Sequence, residues 1–129
     1  MFEFDFLGED TLNYKTDCYI AKKLDVEYDE YGNQIEKYDT PKPFSFNIQP
    51  VNSSSEIQAF GEKATSMRKA LVSKKIYLNE FKEFDKVYLD GATPENETIN
   101  GANANYRIYA INPQNVALII YMTKLVKGE

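Results

Sequence analysis

The chain has 129 residues, 43% hydrophobic and 27% charged, with 15 Lys and Arg against 20 Asp and Glu for a net charge of −5. One core of this size needs no metal or disulfide staple, and the acidic balance argues against tight, sequence-independent nucleic-acid binding, which requires clustered cations. There is no His and a single Cys, Cys18, so the commonest general base is missing and an intrachain disulfide or a Cys-based zinc site is excluded. At the N-terminus Phe2, Phe4 and Phe6 alternate with Glu3 and Asp5, which predicts a short extended segment with an aromatic face. Residues 1–17 are read as an N-terminal arm or edge strand, and residues 18–129 as one β-barrel domain. The start lacks the basic and apolar blocks of a signal peptide. The longest apolar run, Val116 to Met122, is strand-length, far below the roughly 18–20 residues of a membrane span. An intracellular chain is expected, with no membrane partner.

Beyond the arm, period-two alternation and the 10 Tyr and 8 Phe of the chain favour strands. A run from Cys18 to Tyr28 leads into a turn at Asp29-Glu30-Tyr31-Gly32-Asn33, where Gly and Asn tolerate positive φ. Gln34 to Tyr38 returns to complete a long polar hairpin, which Pro41 and Pro43 break. Phe44, Phe46 and Ile48 alternate in the next strand, which ends at Pro50. Ser53-Ser54-Ser55-Glu56 matches a capping box, and Ile57, Phe60, Ala64 and Met67 follow at helical spacing. Gly61 costs about 1 kcal/mol inside a helix, so the helix is short or broken there. From Arg68 the period changes: Ala70, Val72, Ile76 and Leu78 alternate and predict a strand, with a helix running on to Leu71 as the alternative.

Phe81 to Phe84 reads as a connector and Asp85 to Asp90 as a strand with Val87 and Leu89 on one face. Gly91 to Asn105 is a loop. At about 3.3 Å per residue, half its length would reach roughly 20 Å if extended, so it is either a surface excursion or a contact with a neighbour. Tyr106–Ile111 and Val116–Val126 form the last hairpin. The fold class is mainly β: a small antiparallel barrel or sandwich of six to eight strands, with one short α-helix and a long protruding hairpin or loop.

Charge is uneven. Residues 1–39 hold 11 acids and 4 lysines, a net of −7, whereas residues 40–129 carry +2. Lys63, Arg68, Lys69, Lys74 and Lys75 form a basic cluster, read either as a solvated surface or as a head-to-tail contact for the acidic arm of the next subunit. The aromatic arm is either a core strand or a strand added to a neighbour's sheet edge.

Little here points to catalysis. The serines at 53–55 have no His to activate them, and capping already accounts for Ser53. Cys18 falls in a strand, as small buried hydrophobes do. Asp29 with Glu30 and Glu95 with Glu97 lie in hydrophilic loops, and Pro94-Glu95-Asn96-Glu97 lacks calcium-loop spacing. No phosphate-binding glycine loop is present. The reading is a non-enzyme without metal or cofactor, with interface candidates Phe2, Phe4, Phe6, Asp29, Glu30, Tyr31, Lys69, Lys74, Lys75, Pro94, Glu95 and Asn96.

The order of elements adds to this. A polar hairpin leads to a strand ending Ile48-Gln49-Pro50; a Ser-rich helix start comes after it with Glu56 and Ala59-Phe60-Gly61-Glu62. Next come the basic strand from Met67 to Val72, Glu83-Phe84-Asp85-Lys86-Val87-Tyr88-Leu89, and Asn105-Tyr106-Arg107-Ile108. Over residues 18–126 this resembles the head-closure and head–tail connector (stopper, collar) proteins of tailed bacteriophages. The resemblance implies a small barrel that docks as a ring of six- or twelve-fold symmetry. Its implied partners are the portal or adaptor ring and a tail-completion protein. Packaged DNA would pass through the lumen without sequence-specific binding, and the location would be the virion neck, assembled in the host bacterial cytoplasm. Residues 1–17 lie outside the resemblance, and the stretch from Gly91 to Tyr106 is longer than the short turn usual in that family. An acidic surface suits a channel through which DNA must slide. The alternatives are a tail-completion or tail-tube subunit and a small β-barrel module that binds a peptide or glycan.

Overall fold

A computed structural model describes residues 15–125. The aromatic arm at Phe2, Phe4 and Phe6 and the chain from Val126 onward lie outside the described residues. Eight strands run in the order β1 (Thr16–Ala21), β2 (Glu27–Tyr28), β3 (Gln34–Ile35), β4 (Lys42–Pro50), β5 (Met67–Ser73), β6 (Lys86–Tyr88), β7 (Tyr106–Pro113) and β8 (Ala117–Lys124). Between β4 and β5 lie helix α1 (Ser54–Phe60) and a 3₁₀ helix (Gly61–Ser66), and a single turn, α2 (Lys74–Tyr77), follows β5. Six strands close an antiparallel barrel in the order β1-β4-β5-β8-β7-β6, while β2 and β3 pair outside it.

Inward side chains fill the barrel: Cys18, Ile20, Phe46, Ala70, Val72, Phe81, Val87, Leu89, Tyr106, Ile108, Leu118, Ile120 and Met122 form one cluster. Alternation in β4 works as expected, with Phe44 and Ile48 packed on that cluster beside Phe46. In β7 the ladder slips between Ile108 and Ala110. The extra residue leaves Tyr109 and Ala110 both facing outward, and Ile111 returns to the inner cluster.

A second cluster lies on the outside of β5 and β8, where Val51, Ala64, Met67 and Tyr121 pack with Phe60, Tyr109 and Ile119. The α1–3₁₀ segment covers this face, so β5 and β8 are buried on both sides. Ser53 and Glu56 form the capping box that starts α1: the Ser53 hydroxyl accepts from the Glu56 N–H at 3.2 Å, and Glu56 Oε1 accepts from the Ser53 N–H at 3.2 Å. The helix ends at Gly61, whose φ of +63° suits a residue without a Cβ. Met67, expected on the helix, opens β5 instead.

Four expectations are corrected. The run from Cys18 to Tyr28 is not continuous: β1 ends at Ala21 because the Lys23 N–H donates to Asp85 Oδ1 at 2.8 Å, which draws the chain out of the barrel ladder. The polar hairpin ends before Pro41 as expected, but the strand read from Phe44 starts at Lys42, so Pro43 sits second in β4, near the strand's start where a missing N–H is tolerated. The strand through Ala70 and Val72 stops at Ser73. Ile76 and Leu78, expected to alternate inward, are exposed, and Tyr77 packs instead, 5.1 Å from Phe46 edge to face. The fourth concerns the loop from Gly91 to Asn105, which folds back on the barrel and the hairpin rather than extending.

Candidate assembly surface

The β2–β3 hairpin is the protruding element, and its base is fastened to the barrel. The Leu24 N–H donates to the Lys37 carbonyl at 2.9 Å, and the Asp39 N–H to the Lys22 carbonyl at 2.8 Å. Lys23 bridges to Tyr38. Asp85, 1% exposed, takes the Lys23 N–H on one oxygen and the Lys82 N–H on the other at 2.9 Å. Burial pushes the Asp85 carboxyl above its ordinary value, and these N–H groups and the nearby Lys22 and Lys82 charges partly offset that.

The tip is a preformed turn. Asp29 Oδ1 accepts from the Tyr31 N–H at 2.9 Å and the Asn33 N–H at 2.8 Å, and Gly32 sits at φ +83°. The N–H of Asn33, foremost among these donors, holds the Asp29 carboxyl below its ordinary range. This geometry presents Tyr31 at 81% exposure and Tyr28 at 68%, flanked by exposed Asp25, Glu27 and Glu30. Asp29, Glu30 and Tyr31, all expected at the surface, therefore share one tip, with Asp29 half-buried as its organiser.

The 91–105 loop folds back to brace the hairpin. Glu97 accepts from the Tyr88 hydroxyl at 2.7 and 2.9 Å, from the Asn103 N–H at 2.9 Å and from the Gly101 N–H at 3.3 Å. Asn105 brackets Leu89 with both ends of its side chain, at 2.8 and 2.7 Å. Asn100 Nδ2 donates to the Tyr38 carbonyl at 3.2 Å, which ties loop to hairpin. Burial, then the Glu97 carboxylate, push the Tyr88 phenol above its ordinary value. Glu95 and Asn96 are exposed and Pro94 is half-buried, but none of them projects on an extended arm.

Gly101 lies at φ +91°, and an added Cβ would come 3.4 Å from the Tyr38 ring. Gly101→Ala is expected to lower stability by roughly 1–2 kcal/mol through the left-handed backbone alone. Thermal unfolding measures this, and an unchanged midpoint would show that the loop does not brace the hairpin in this conformation.

The expected basic patch is dispersed. Lys69 is corrected from a surface cation to a buried one: it points to the outer face of β5, which α1 covers, and its Nζ donates to Glu56 Oε2 at 2.9 Å. Tyr121 donates to the same oxygen at 2.8 Å. Burial alone would raise the Glu56 carboxyl, but the bonds from Lys69, Tyr121 and Ser53 outweigh it and hold the group down at about 2. Arg68 pairs with Asp90 at 3.0 Å, and Lys63 lies over the Tyr109 ring. Lys74 Nζ donates to the Gln114 carbonyl at 3.1 Å, and Lys75 is exposed. Cys18 is buried, and burial, then the Asp17 charge, push its thiol up to about 12, which leaves it a core group.

A different set of cations converges at the hairpin base. Lys23, Lys86 and Arg107 line a cleft of about 230 Å³ with Glu36, Tyr38, Phe84 and Leu125. Lys86 Nζ lies 5.1 Å from the Tyr38 ring centre, and Arg107 lies 5.0 Å and Lys23 5.6 Å from that of Phe84. No periodicity announces this site, because its cations come from the β1–β2 connection, β6 and β7. Comparison of the chain with protein-family models, with curated proteins and with solved structures gives no match.

Proposed function

We propose that this chain is a structural subunit of a tailed-bacteriophage head-closure or head–tail connector ring, which docks between portal and tail and retains packaged DNA. The observation that carries the reading is an acidic, tyrosine-bearing hairpin fastened at its base to a closed, side-chain-filled barrel. A filled barrel offers rigidity, and a braced arm offers a surface to a neighbour at little ordering cost. The net charge of −5 suits a ring whose lumen must let DNA slide.

A tip variant tests this in the phage. Tyr31→Ala together with Glu30→Lys removes the most exposed aromatic side chain among the described residues and reverses a charge without touching the turn's hydrogen bonds. Stability is expected to change by less than about 0.5 kcal/mol, as for surface substitutions generally. Loss of an aromatic contact of hot-spot quality is worth about 2 kcal/mol, so the variant is expected not to restore infectious particles to a deletion strain. Full restoration by a normally folded variant would count against the hairpin as an assembly element.

A further inference from the structure

We propose that the cleft at the hairpin base, lined by Lys23, Tyr38, Phe84, Lys86 and Arg107, receives the hairpin tip of a second copy of this chain, so that subunits join head to tail. This rests on the ring-subunit reading and assigns its subunit contact.

The cleft brings three cations together with one acid, Glu36. Among the described residues, the ion pairs within 4.0 Å are Lys22–Glu80, Lys37–Glu27, Arg68–Asp90 and Lys69–Glu56, and none uses Lys23, Lys86 or Arg107. Those three instead stand over aromatic rings, with no carboxylate partner among the described residues, so their N–H groups can meet carboxylates of a neighbour. Arg107 can do so with two parallel bonds.

The tip carries the complementary chemistry. Glu30 supplies a carboxylate outside those ion pairs and Asp25 a second one nearer the base, and Tyr28 and Tyr31 supply exposed rings to set beside Phe84 and Tyr38. Glu30 and Tyr31 cannot reach the cleft of their own subunit. Lys23 and Glu30 stand at base and tip of one paired hairpin, roughly 20 Å apart along an extended chain at about 3.3 Å per residue. To fill the cleft, these two side chains must come from another molecule. A contact between two different surfaces of identical subunits repeats, and it closes into a ring when the rotation allows. The cleft takes the place that Lys69, Lys74 and Lys75 were expected to fill.

Disulfide trapping of the full chain tests the contact. Gln34→Cys on the hairpin and Glu83→Cys beside the cleft leave the proposed contact residues intact, and buried Cys18 stays out of the reaction. The expected result is a ladder of cross-linked multimers. Its rate should exceed that of the control pair Gln34→Cys with Lys75→Cys. Adding Lys86→Glu and Arg107→Glu should slow it at least about tenfold, a modest share of what close interfacial charge pairs contribute. Adding Asp25→Lys and Glu30→Lys to that variant should restore it, which excludes misfolding as the cause of the loss. Cross-linking no faster than the control, or unmoved by charge reversal, would overturn the proposal. No ladder alongside a head-closure defect on gene deletion removes only this contact. A ladder alongside normal particles on deletion leaves the contact and removes the connector reading.

Discussion

Asp85→Asn is expected to destabilise the protein by about 1–2 kcal/mol at neutral pH and to release the hairpin from the barrel. The carboxylate accepts from the Lys23 N–H at 2.8 Å and the Lys82 N–H at 2.9 Å, one on each oxygen, at 1% exposure. An amide keeps one acceptor and turns its own N–H₂ toward the other donor. A buried donor left without a partner costs roughly 1–3 kcal/mol. Losing a buried charge returns part of this, because burial holds the carboxyl above its ordinary value. Asp85 by itself therefore favours the fold at low pH and costs stability as pH rises through that raised range. Urea unfolding gives the magnitude. Amide exchange gives the location: the Lys23, Leu24 and Asp39 N–H groups should exchange faster than the global change alone explains. Unchanged protection at these three sites would show that the hairpin is held without Asp85.

Lys69→Ala is expected to cost about 3–5 kcal/mol, the usual penalty for stranding one member of a buried ion pair. Glu56 and Lys69 side chains are 10% and 11% exposed, and Tyr121 shares the carboxylate. Replacing both charges, as Lys69→Met with Glu56→Leu, should cost less than Lys69→Ala, since it leaves no uncompensated charge. The capping return to Ser53 is then lost, worth about 1 kcal/mol. The pH dependence runs opposite to that of Asp85. With Glu56 held at about 2 against an ordinary 4.5, its contribution is complete above pH 4.5 and lost as pH falls toward 2, roughly 3 kcal/mol in all. Glu56→Gln should flatten that acid limb in urea titrations at a series of pH values, and an acid limb as steep as in the unmodified chain would place its origin elsewhere. Lys69→Glu is therefore no probe of subunit contacts: it puts two carboxylates under α1.

Where local chemistry decides, the fold was legible. The capping box at Ser53 and Glu56, the helix end at Gly61, the turn at Asp29 to Asn33 and the alternation of Phe44, Phe46 and Ile48 are each set by neighbours within a few residues. Long-range packing decided the rest. Ile76 and Leu78 keep strand periodicity, yet Tyr77 turns inward because Phe44 and Phe46 wait for it across the barrel. A lysine in an alternating strand reads as solvent-facing; Lys69 is buried because α1 covers the outer face of β5, a fact no window around residue 69 contains. Glu97 reads as a solvated loop acid but closes the loop over Tyr88. The acidic tip was readable as a contiguous run, whereas Lys23, Lys86 and Arg107 are joined only by barrel closure between β1 and β6 and by pairing of β6 with β7.

The connector reading is tested most directly by electron microscopy of particles made when this gene is deleted from its parent genome. Tailless heads that have lost their DNA, beside separate intact tails, are the predicted result. Normal tailed particles would contradict it, and DNA-filled heads with incomplete tails would move the protein to tail completion.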